Sequence, residues 1–359
     1  METLRTFPET LSGGEYFPGV RYSGGGVIAV RMPNWLGDAV MALPALRQLR
    51  LGGWRTVAVA PAGVTGLLDL FDCVDSTVIL PEAHRNWPDE VLVQLRESGA
   101  DFGLLLTNSP RDAIYFRRAG IRRLFGAAAR GRSLLLEGAF KFPWNRRGCV
   151  GNLHHARKYS LMAEALGGSA WDGKFPENKL GGELPCGVVA GSPLLVLAPG
   201  AAYGAAKRWP SNCFANTGRR FLSDYAAGRI VIVGGRGESA IASEVAGQLG
   251  TDERVINLCG GTTLAELAAI LKSAAACVAN DSGTMHLSAS VGGSGVAVFG
   301  STDWVVTAPL SSRWRIVRSS WGCAPCFRRT CTLADEPLCM RSINSGNVYM
   351  ALKELLHQG

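Results

Sequence analysis

Short runs of apolar residues alternate with segments of helical periodicity along most of the chain. The runs are VIAVRM (27–32), RTVAVA (55–60), FGLLLTN (102–108), LLVLAP (194–199), RIVIVGG (229–235), RVINL (254–258), ACVAN (276–280) and GVAVFG (295–300). Runs of this length are typical of parallel strands that are covered by helices on both faces of the sheet. Because segments with helical spacing, such as 38–50 and 263–274, separate the runs, the sequence predicts an α/β fold with doubly wound sheets.

The chain is long enough for two such domains, since it has 359 residues and a domain commonly takes about 150. The alternation starts again in the second half, after a stretch rich in Gly and Pro at 179–193. We therefore predict a loose leader over residues 1–26, a first Rossmann-like domain over 27–185 and a second one over 190–345. A closing helix at 347–356 carries an apolar stripe.

The composition favours a cytoplasmic protein with an anionic partner. Lys and Arg number 37 against 29 Asp and Glu, a formal net charge of +8, which favours nucleotides, phosphorylated sugars or a membrane surface. No apolar run approaches the roughly 18 residues that span a bilayer, and the N-terminus lacks the apolar stretch of a signal peptide. In a reducing cytosol the ten cysteines are expected to stay free thiols.

Three strand-to-helix turns hold the polar residues that can bind a ligand or do chemistry. Ligands of open parallel sheets bind beyond the carboxyl ends of the strands, which is where these turns lie. In NWLGD, Asp38 is either a helix N-cap or a functional carboxylate. In PGAAYGAAKRWP, small residues surround Lys207, a pattern typical of a backbone that approaches a phosphate or pyrophosphate. In NDSGTMH, Asp281 can accept ribose hydroxyls at the start of a helix.

A fourth turn favours a different class of enzyme. RIVIVGGRGESA (229–240) places Gly235 and Gly237 after a strand, in a spacing similar to a dinucleotide-binding fingerprint. A nicotinamide-dependent oxidoreductase is therefore an alternative. That fingerprint normally opens its domain, however, whereas here a strand and a helix come first, so an adenosine-binding turn explains the pattern equally well.

NWLGD, PGAAYGAAKRWP and NDSGTMH together resemble, in order and spacing, the motifs of glycosyltransferase family 9, in particular its heptosyltransferase II group. The resemblance extends from about Val27 to the final helix and includes AGIRRLFG (119–126) and VAVFGSTD (296–303). It implies a GT-B fold, in which two Rossmann-like domains face a central cleft and the C-terminal helix (346–359) crosses back to the first domain. It also implies an inverting transfer of heptose from ADP-L-glycero-D-manno-heptose to the lipopolysaccharide inner core. A different acceptor, such as Kdo-lipid A or a protein hydroxyl, stays open.

The resemblance implies roles for individual residues as well. Asp38 matches the catalytic base, and Lys207 matches the cation that neutralises the departing ADP. The implied donor-binding residues are Gly200, Tyr203, Gly204, Lys207, Glu238, Asp281, Ser282, Gly283, Thr284 and His286. The implied acceptor-binding residues are Asn34, Trp35, Arg111, Arg122 and Arg123. No metal or other cofactor is expected in catalysis, because Lys207 and helix N-termini supply the positive charge.

Seven arginines fall within residues 111–132, beside a single acid. Such a segment is either a solvated helix face or a contact for the phosphates of lipid A and the membrane surface. We expect it to contact anionic lipopolysaccharide at the cytoplasmic face of the inner membrane. Nucleic-acid binding is not expected, because no recognisable nucleic-acid-binding module accompanies the segment. We also expect a monomer.

Four cysteines cluster near the C-terminus: Cys323, Cys326, Cys331 and Cys339. Four thiols in a cytosolic protein can form a structural zinc site or an iron–sulfur centre, although the spacing here is not that of a zinc ribbon. Because the cluster follows the last predicted strand and not a turn of the cleft, a metal there is expected to be structural.

Overall fold

The computed structural model describes Tyr22 and residues 24–81, 86–142, 153–181, 184, 185, 188 and 193–358. These residues form two compact units that meet in the sequence at Lys179 and Leu180. The predicted leader and the predicted seam between the domains lie mostly outside the described residues. The predicted domain limits at 185 and 190 therefore stay predictions.

The N-terminal unit is a parallel sheet of six strands with helices between them. Its elements are β1 (Val27–Arg31), α1 (Leu36–Leu51), β2 (Arg55–Pro61), α2 (Ala62–Leu70), β3 (Ser76–Leu80), α3 (Asp89–Glu97), β4 (Phe102–Leu105), α4 (Pro110–Arg118), β5 (Arg123–Ala127), β6 (Gly138–Phe140) and α5 (His155–Ala165). The strand order is β3-β2-β1-β4-β5-β6, with every pair parallel. The chain changes direction across the sheet between β1 and β4, so their carboxyl ends flank the crevice where such sheets bind ligands.

The C-terminal unit repeats this arrangement. Its elements are β7 (Leu194–Ala198), α6 (Ser211–Asp224), β8 (Arg229–Ile232), α7 (Ser239–Leu249), β9 (Val255–Asn257), α8 (Leu264–Ser273), β10 (Ala276–Asn280), α9 (Gly283–Ser290), β11 (Gly295–Phe299), α10 (Trp304–Thr307), β12 (Trp314–Arg318), α11 (Leu338–Arg341) and α12 (Ser345–Gln358). The strand order is β12-β11-β10-β7-β8-β9, again all parallel. Here the crevice lies between β7 and β10.

The strands are apolar throughout because helices cover both faces of each sheet. Every residue of β7, β10 and β11 is buried, and these strands pack with Phe214 and Phe221 of α6 in one core. The predicted α/β class with two Rossmann-like sheets is confirmed. Four short strands were not predicted, namely β3, β5, β6 and β12. They are only three to five residues long, and in β12 Arg315 also breaks the apolar run, so their sequences carry a weak strand signal.

The last helix, α12, packs on the C-terminal unit. Val348 and Leu352 are completely buried in the core of that unit, and the Tyr349 hydroxyl donates a hydrogen bond to Asp224 Oδ2 at 2.8 Å. The return of this helix to the N-terminal domain stays a prediction. Across the described residues, no helix has both the length and the apolar character that a membrane span requires.

Candidate active site

The loop that follows β7 lies at the crevice of the C-terminal unit. We call residues 199–207 the donor loop. It runs beside the end of β10, because β7 and β10 are neighbours in the sheet. The turn with Lys207 and the turn with Asp281 directly follow these two strands. Parallel pairing therefore brings residues that are far apart in sequence to one edge of the sheet.

Asn280 joins the two turns. Its side chain is completely buried, and its Nδ2 donates to the carbonyl oxygens of Pro199 at 2.8 Å and Gly200 at 3.2 Å. Its Oδ1 accepts the backbone N–H of Trp209 at 3.0 Å, and the Trp209 indole donates to the Ile343 carbonyl at 3.0 Å. The donor loop is thus held at both ends. Sequence reasoning did not single out Asn280, although it opens the NDSGTMH motif.

Lys207 and Asp281 form a buried ion pair. Lys207 Nζ lies 2.6 Å from Asp281 Oδ2, and the two side chains are only 12% and 4% exposed. The Thr302 hydroxyl donates to the same oxygen at 2.6 Å. Burial alone would raise the pKa of Asp281, but the charge of Lys207 and hydrogen bonds from Lys207 and Thr302 hold it below its ordinary value. The carboxylate therefore stays ionised next to the lysine.

This pairing changes the role expected for Asp281. Ribose binding was predicted from its position after β10, but its carboxylate is buried and already accepts hydrogen bonds from Lys207 and Thr302. Asp281 is therefore better placed to orient Lys207 than to bind a sugar hydroxyl. An ammonium group has three N–H donors, so Lys207 keeps donors for a phosphate while it is bound to Asp281.

The glycines of the donor loop make room for the protein's own groups. A Cβ added at Gly200 would lie 2.1 Å from the Glu238 carboxyl carbon, and one added at Gly204 would lie 2.3 Å from the Arg329 carbonyl oxygen. The Gly204 N–H itself donates to the Ala201 carbonyl at 3.3 Å. Gly204, which the resemblance implies as a donor-binding residue, therefore uses its N–H within the loop itself. The sequence could not reveal either neighbour, because each comes from a distant part of the chain.

Glu238 is brought to the donor loop by the turn after β8. Its Oε2 accepts the Gly235 backbone N–H at 2.8 Å, which fixes the carboxylate between this turn and Gly200. This places Glu238 beside the crevice, and its contact with the donor stays a prediction. The glycines of the same turn follow β8 and not the first strand of the unit, β7. The dinucleotide-binding fingerprint normally follows the first strand, and β8 does not border the crevice between β7 and β10.

The start of α9 completes this side of the site. Ser282, Gly283 and Thr284 are half-buried at its first turn, where backbone N–H groups have no partner within the helix. His286 is buried one turn further on. Burial raises the pKa of Asp281, and the charge of His286 lowers it, although less than the charge of Lys207 does. Helix N-termini of this kind bind anions.

In the N-terminal unit, Asp38 lies in the first turn of α1, directly after β1. Its side chain caps nothing in this helix, since the N-cap is Trp35, and it remains 32% exposed. His155, the first residue of α5, places its Nδ1 3.6 Å from Asp38 Oδ1. Burial and, to a lesser extent, the charge of Asp38 raise the pKa of Tyr159, one turn along α5. His155 could not be predicted from the sequence, because its proximity to Asp38 depends on the packing of α5 against α1.

A cavity of about 310 Å³ lies at the carboxyl edge of this sheet, and some of its lining residues are close to Asp38 in the sequence. Arg31, Asn34 and Arg111 line it, together with residues at the ends of β2 and β3. Arg31 Nη2 donates to Asn34 Oδ1 at 2.7 Å, and its Nε lies 3.2 Å from buried Asp112. The cavity is therefore polar and cationic on one side. Arg31 was not predicted, because it reads as the end of an apolar strand.

The structure separates the other predicted acceptor residues from this cavity. Arg122 and Arg123 lie at the amino end of β5, whereas Asn34 and Arg111 follow the carboxyl ends of β1 and β4. Arg123 is also paired with Glu137, at 3.1 Å. In a parallel sheet these are opposite edges, so Arg122 and Arg123 do not line the same site as Asn34. Exposed Trp35 stays a predicted acceptor contact.

The predicted metal centre at the cysteines is not supported. Within the described residues, no three His, Cys, Asp or Glu side chains come together as a metal site would require. Burial and, to a lesser extent, the charges of Cys323 and Cys326 raise the pKa of Cys339 to about 11. Backbone hydrogen bonds, the largest contribution coming from the Leu333 N–H, lower the pKa of Cys331.

Comparison with known proteins places this arrangement in a family. Residues 90–335 match the sequence profile of glycosyltransferase family 9 (heptosyltransferase). The chain belongs to this family. It is therefore a glycosyltransferase, as the motifs predicted, and the nicotinamide-dependent alternative is not favoured.

Two relatives and two solved structures match over most of their lengths. The lipooligosaccharide heptosyltransferase 2 of Campylobacter jejuni is 26% identical over 334 residues, which cover 91% of this chain and 98% of the relative. The lipopolysaccharide heptosyltransferase 2 of Escherichia coli is 26% identical over 314 residues, or 81% and 87%. The structure of the E. coli ADP-heptose heptosyltransferase II matches with a TM-score of 0.74 at 23% identity, covering 92% and 98%. A family 9 glycosyl transferase from Veillonella parvula matches with 0.78 at 19% identity, covering 95% and 99%. The fold is thus that of family 9 enzymes.

Proposed function

We propose that the protein transfers heptose from ADP-heptose to a heptose-bearing inner core of lipopolysaccharide, with inversion at the anomeric carbon. The observation that carries the proposal is the ion pair of Lys207 and Asp281 at the crevice of the C-terminal unit, which fits the diphosphate of a nucleotide-sugar. The relatives named heptosyltransferase 2, which match over most of their lengths, support the choice of donor and acceptor.

The donor is proposed to bind at the crevice of the C-terminal unit. Lys207 offers its remaining N–H donors to the diphosphate, and the start of α9 offers backbone N–H groups to the same anion. Glu238, fixed beside Gly200, lies where a ribose hydroxyl can donate to it. Because Asp281 fixes Lys207 before the donor arrives, little reorganisation is needed when negative charge grows on the departing ADP.

Asp38 is proposed as the general base. Its carboxylate is partly exposed and accepts the proton of the acceptor hydroxyl as that oxygen attacks the anomeric carbon. The bond from the anomeric carbon to the ADP oxygen breaks in the same step, so the configuration inverts. Lys207 stabilises the charge that the ADP carries away. No metal is proposed in this step, so transfer should continue in the presence of a chelator.

The cavity lined by Arg31, Asn34 and Arg111 is proposed to hold anionic groups of the acceptor. Guanidinium groups bind phosphate and carboxylate in two-point geometry, and inner-core lipopolysaccharide is rich in both. The excess of Lys and Arg over the whole chain supports a peripheral contact with the cytoplasmic face of the inner membrane. We propose this location and a monomeric state on the same grounds.

The proposal is tested by replacing the base while the donor site is left intact. Asp38→Asn should lower heptose transfer about 100-fold or more, the usual contribution of a general base, with the affinity for ADP unchanged. Asp69→Asn, at an exposed aspartate of α2, is the matched control and should transfer like the wild type. Full activity in Asp38→Asn would show that the base lies elsewhere.

A further inference from the structure

The segment that follows β12 supports the donor loop through backbone contacts. The Tyr203 hydroxyl donates to the Phe327 carbonyl at 3.1 Å, and the Ala206 N–H donates to the Arg329 carbonyl at 3.0 Å. The backbones approach so closely at Gly204 that no Cβ fits there. Two hydrogen bonds, one to Phe327 and one to Arg329, and a close contact at Arg329 therefore fix the main chain of residues 327–329 against the donor loop.

The side chain of Arg329 lies over the same aromatic ring as Lys207. The Lys207 Nζ is 4.7 Å from the centre of the Tyr203 ring, and the Arg329 guanidinium carbon is 5.1 Å from it. Attraction between a cation and an aromatic face keeps both groups near the ring. Lys207 and Arg329 therefore form a cluster of two cations around Tyr203. The sequence of the cysteine-rich segment does not predict this contact.

The charges of this cluster do not balance. Lys207 pairs with Asp281, but in the part of the chain that the structure describes no carboxylate lies within ion-pair distance of Arg329. Around the Tyr203 ring two positive groups therefore share one negative partner, while the Glu238 carboxylate lies at the start of the loop, beside Gly200. A local excess of positive charge beside a buried ion pair attracts an anion, and the excess is located on the loop assigned to the donor.

We propose that Arg329 is a second cation for the diphosphate of the nucleotide-sugar, alongside Lys207. A planar guanidinium can bind two phosphate oxygens at once, whereas an ammonium acts as a point charge, so the two residues complement each other. The inference rests on the proposed function, because it takes the ADP part of the donor as the ligand. It also gives the segment that holds Cys323, Cys326 and Cys331 a role, which is to fix Arg329 at the donor loop.

The test measures nucleotide binding by the full-length protein with isothermal titration calorimetry. ADP and adenosine are titrated into the wild type, Arg329→Ala, Arg329→Lys and Arg328→Ala. Arg328 is the matched control, since it is the neighbouring arginine and its guanidinium donates to the Thr332 hydroxyl instead. Each variant is first checked for a wild-type unfolding temperature.

Arg329→Ala is expected to weaken ADP binding about tenfold, which corresponds to about 1.4 kcal/mol, and to leave adenosine binding unchanged. Arg329→Lys should recover part of the loss, and Arg328→Ala should bind like the wild type. The salt dependence of ADP binding should become shallower in Arg329→Ala, because one charge contact is lost.

Three results would overturn the inference. Wild-type ADP affinity in Arg329→Ala would remove Arg329 from the site and leave the proposed function intact, since the protein would still bind the nucleotide of the donor. An equal loss for ADP and adenosine would make Arg329 a structural support only. If the wild type itself binds no ADP, the proposed function fails first and Arg329 loses its ligand with it.

Discussion

Removal of Lys207 should destabilise the protein as well as inactivate it. Lys207→Ala leaves the Asp281 carboxylate buried without its cation, and breaking a buried ion pair from one side commonly destabilises a protein by 3–5 kcal/mol. We expect the lower end, about 3 kcal/mol, because the Thr302 hydroxyl still donates to Asp281. For a domain of 150–250 residues this lowers the midpoint of thermal unfolding by about 6–12 °C.

Thermal unfolding followed by circular dichroism measures this effect in the absence of any substrate. Lys353→Ala is the control, since it also breaks a Lys–Asp ion pair, one of 3.1 Å whose side chains are 43% and 38% exposed. Exposed pairs contribute less than about 1 kcal/mol, so this variant should unfold close to the wild type. The double variant Lys207→Ala with Asp281→Asn should recover part of the lost stability. An unchanged midpoint in Lys207→Ala would refute the view that Asp281 is left as a buried charge without a cation or water to compensate it.

Two further predictions concern the same site. The pKa of Asp281 is lowered in the folded protein, so its ionised form stabilises the fold above the pKa of an unfolded aspartate. This contribution is lost as the pH falls through the lower, folded value. Urea unfolding at pH 3 to 7 should therefore show a smaller loss of stability on acidification in Asp281→Asn than in the wild type, and equal losses would contradict the shift. Gly204→Ala should lower the free energy of unfolding by about 1–3 kcal/mol and weaken ADP binding, because its Cβ would meet the Arg329 carbonyl, whereas Gly237→Ala, where nothing lies within 4 Å of an added Cβ, should do neither.

The sequence was sufficient for the layout of the fold and for the positions of the main turns. Long apolar runs such as those of β7 and β10 are distinctive because both faces of a parallel strand are buried, so these strands and the turn after each could be predicted. The strand order, and with it the position of the crevice, came only from the structure. Short strands escaped notice where polar residues break the run. In β12, Arg315 and Arg318 interrupt the pattern, and only pairing with β11 makes the segment a strand.

The partners of the site residues could not be predicted, because they come from distant parts of the chain. Asp38 was identified from its motif, but its neighbour His155 depends on how α5 packs against α1. Lys207 was identified as an anion-binding group, but its ion pair with Asp281 and the contact of Arg329 with Tyr203 depend on the folded chain. Local patterns thus predict which residues take part, while burial and long-range contacts decide what each one touches.

The central claim is tested most directly by mass spectrometry of a lipopolysaccharide acceptor after incubation with the protein and ADP-heptose. Two acceptors are compared, one core-truncated lipopolysaccharide that ends in a single heptose and one that ends in Kdo. We predict the addition of one heptose mass to the first acceptor and none to the second, with release of an equal amount of ADP. Transfer to the Kdo-terminated acceptor alone would contradict the assigned acceptor, and transfer to neither, with no release of ADP, would contradict the proposed activity.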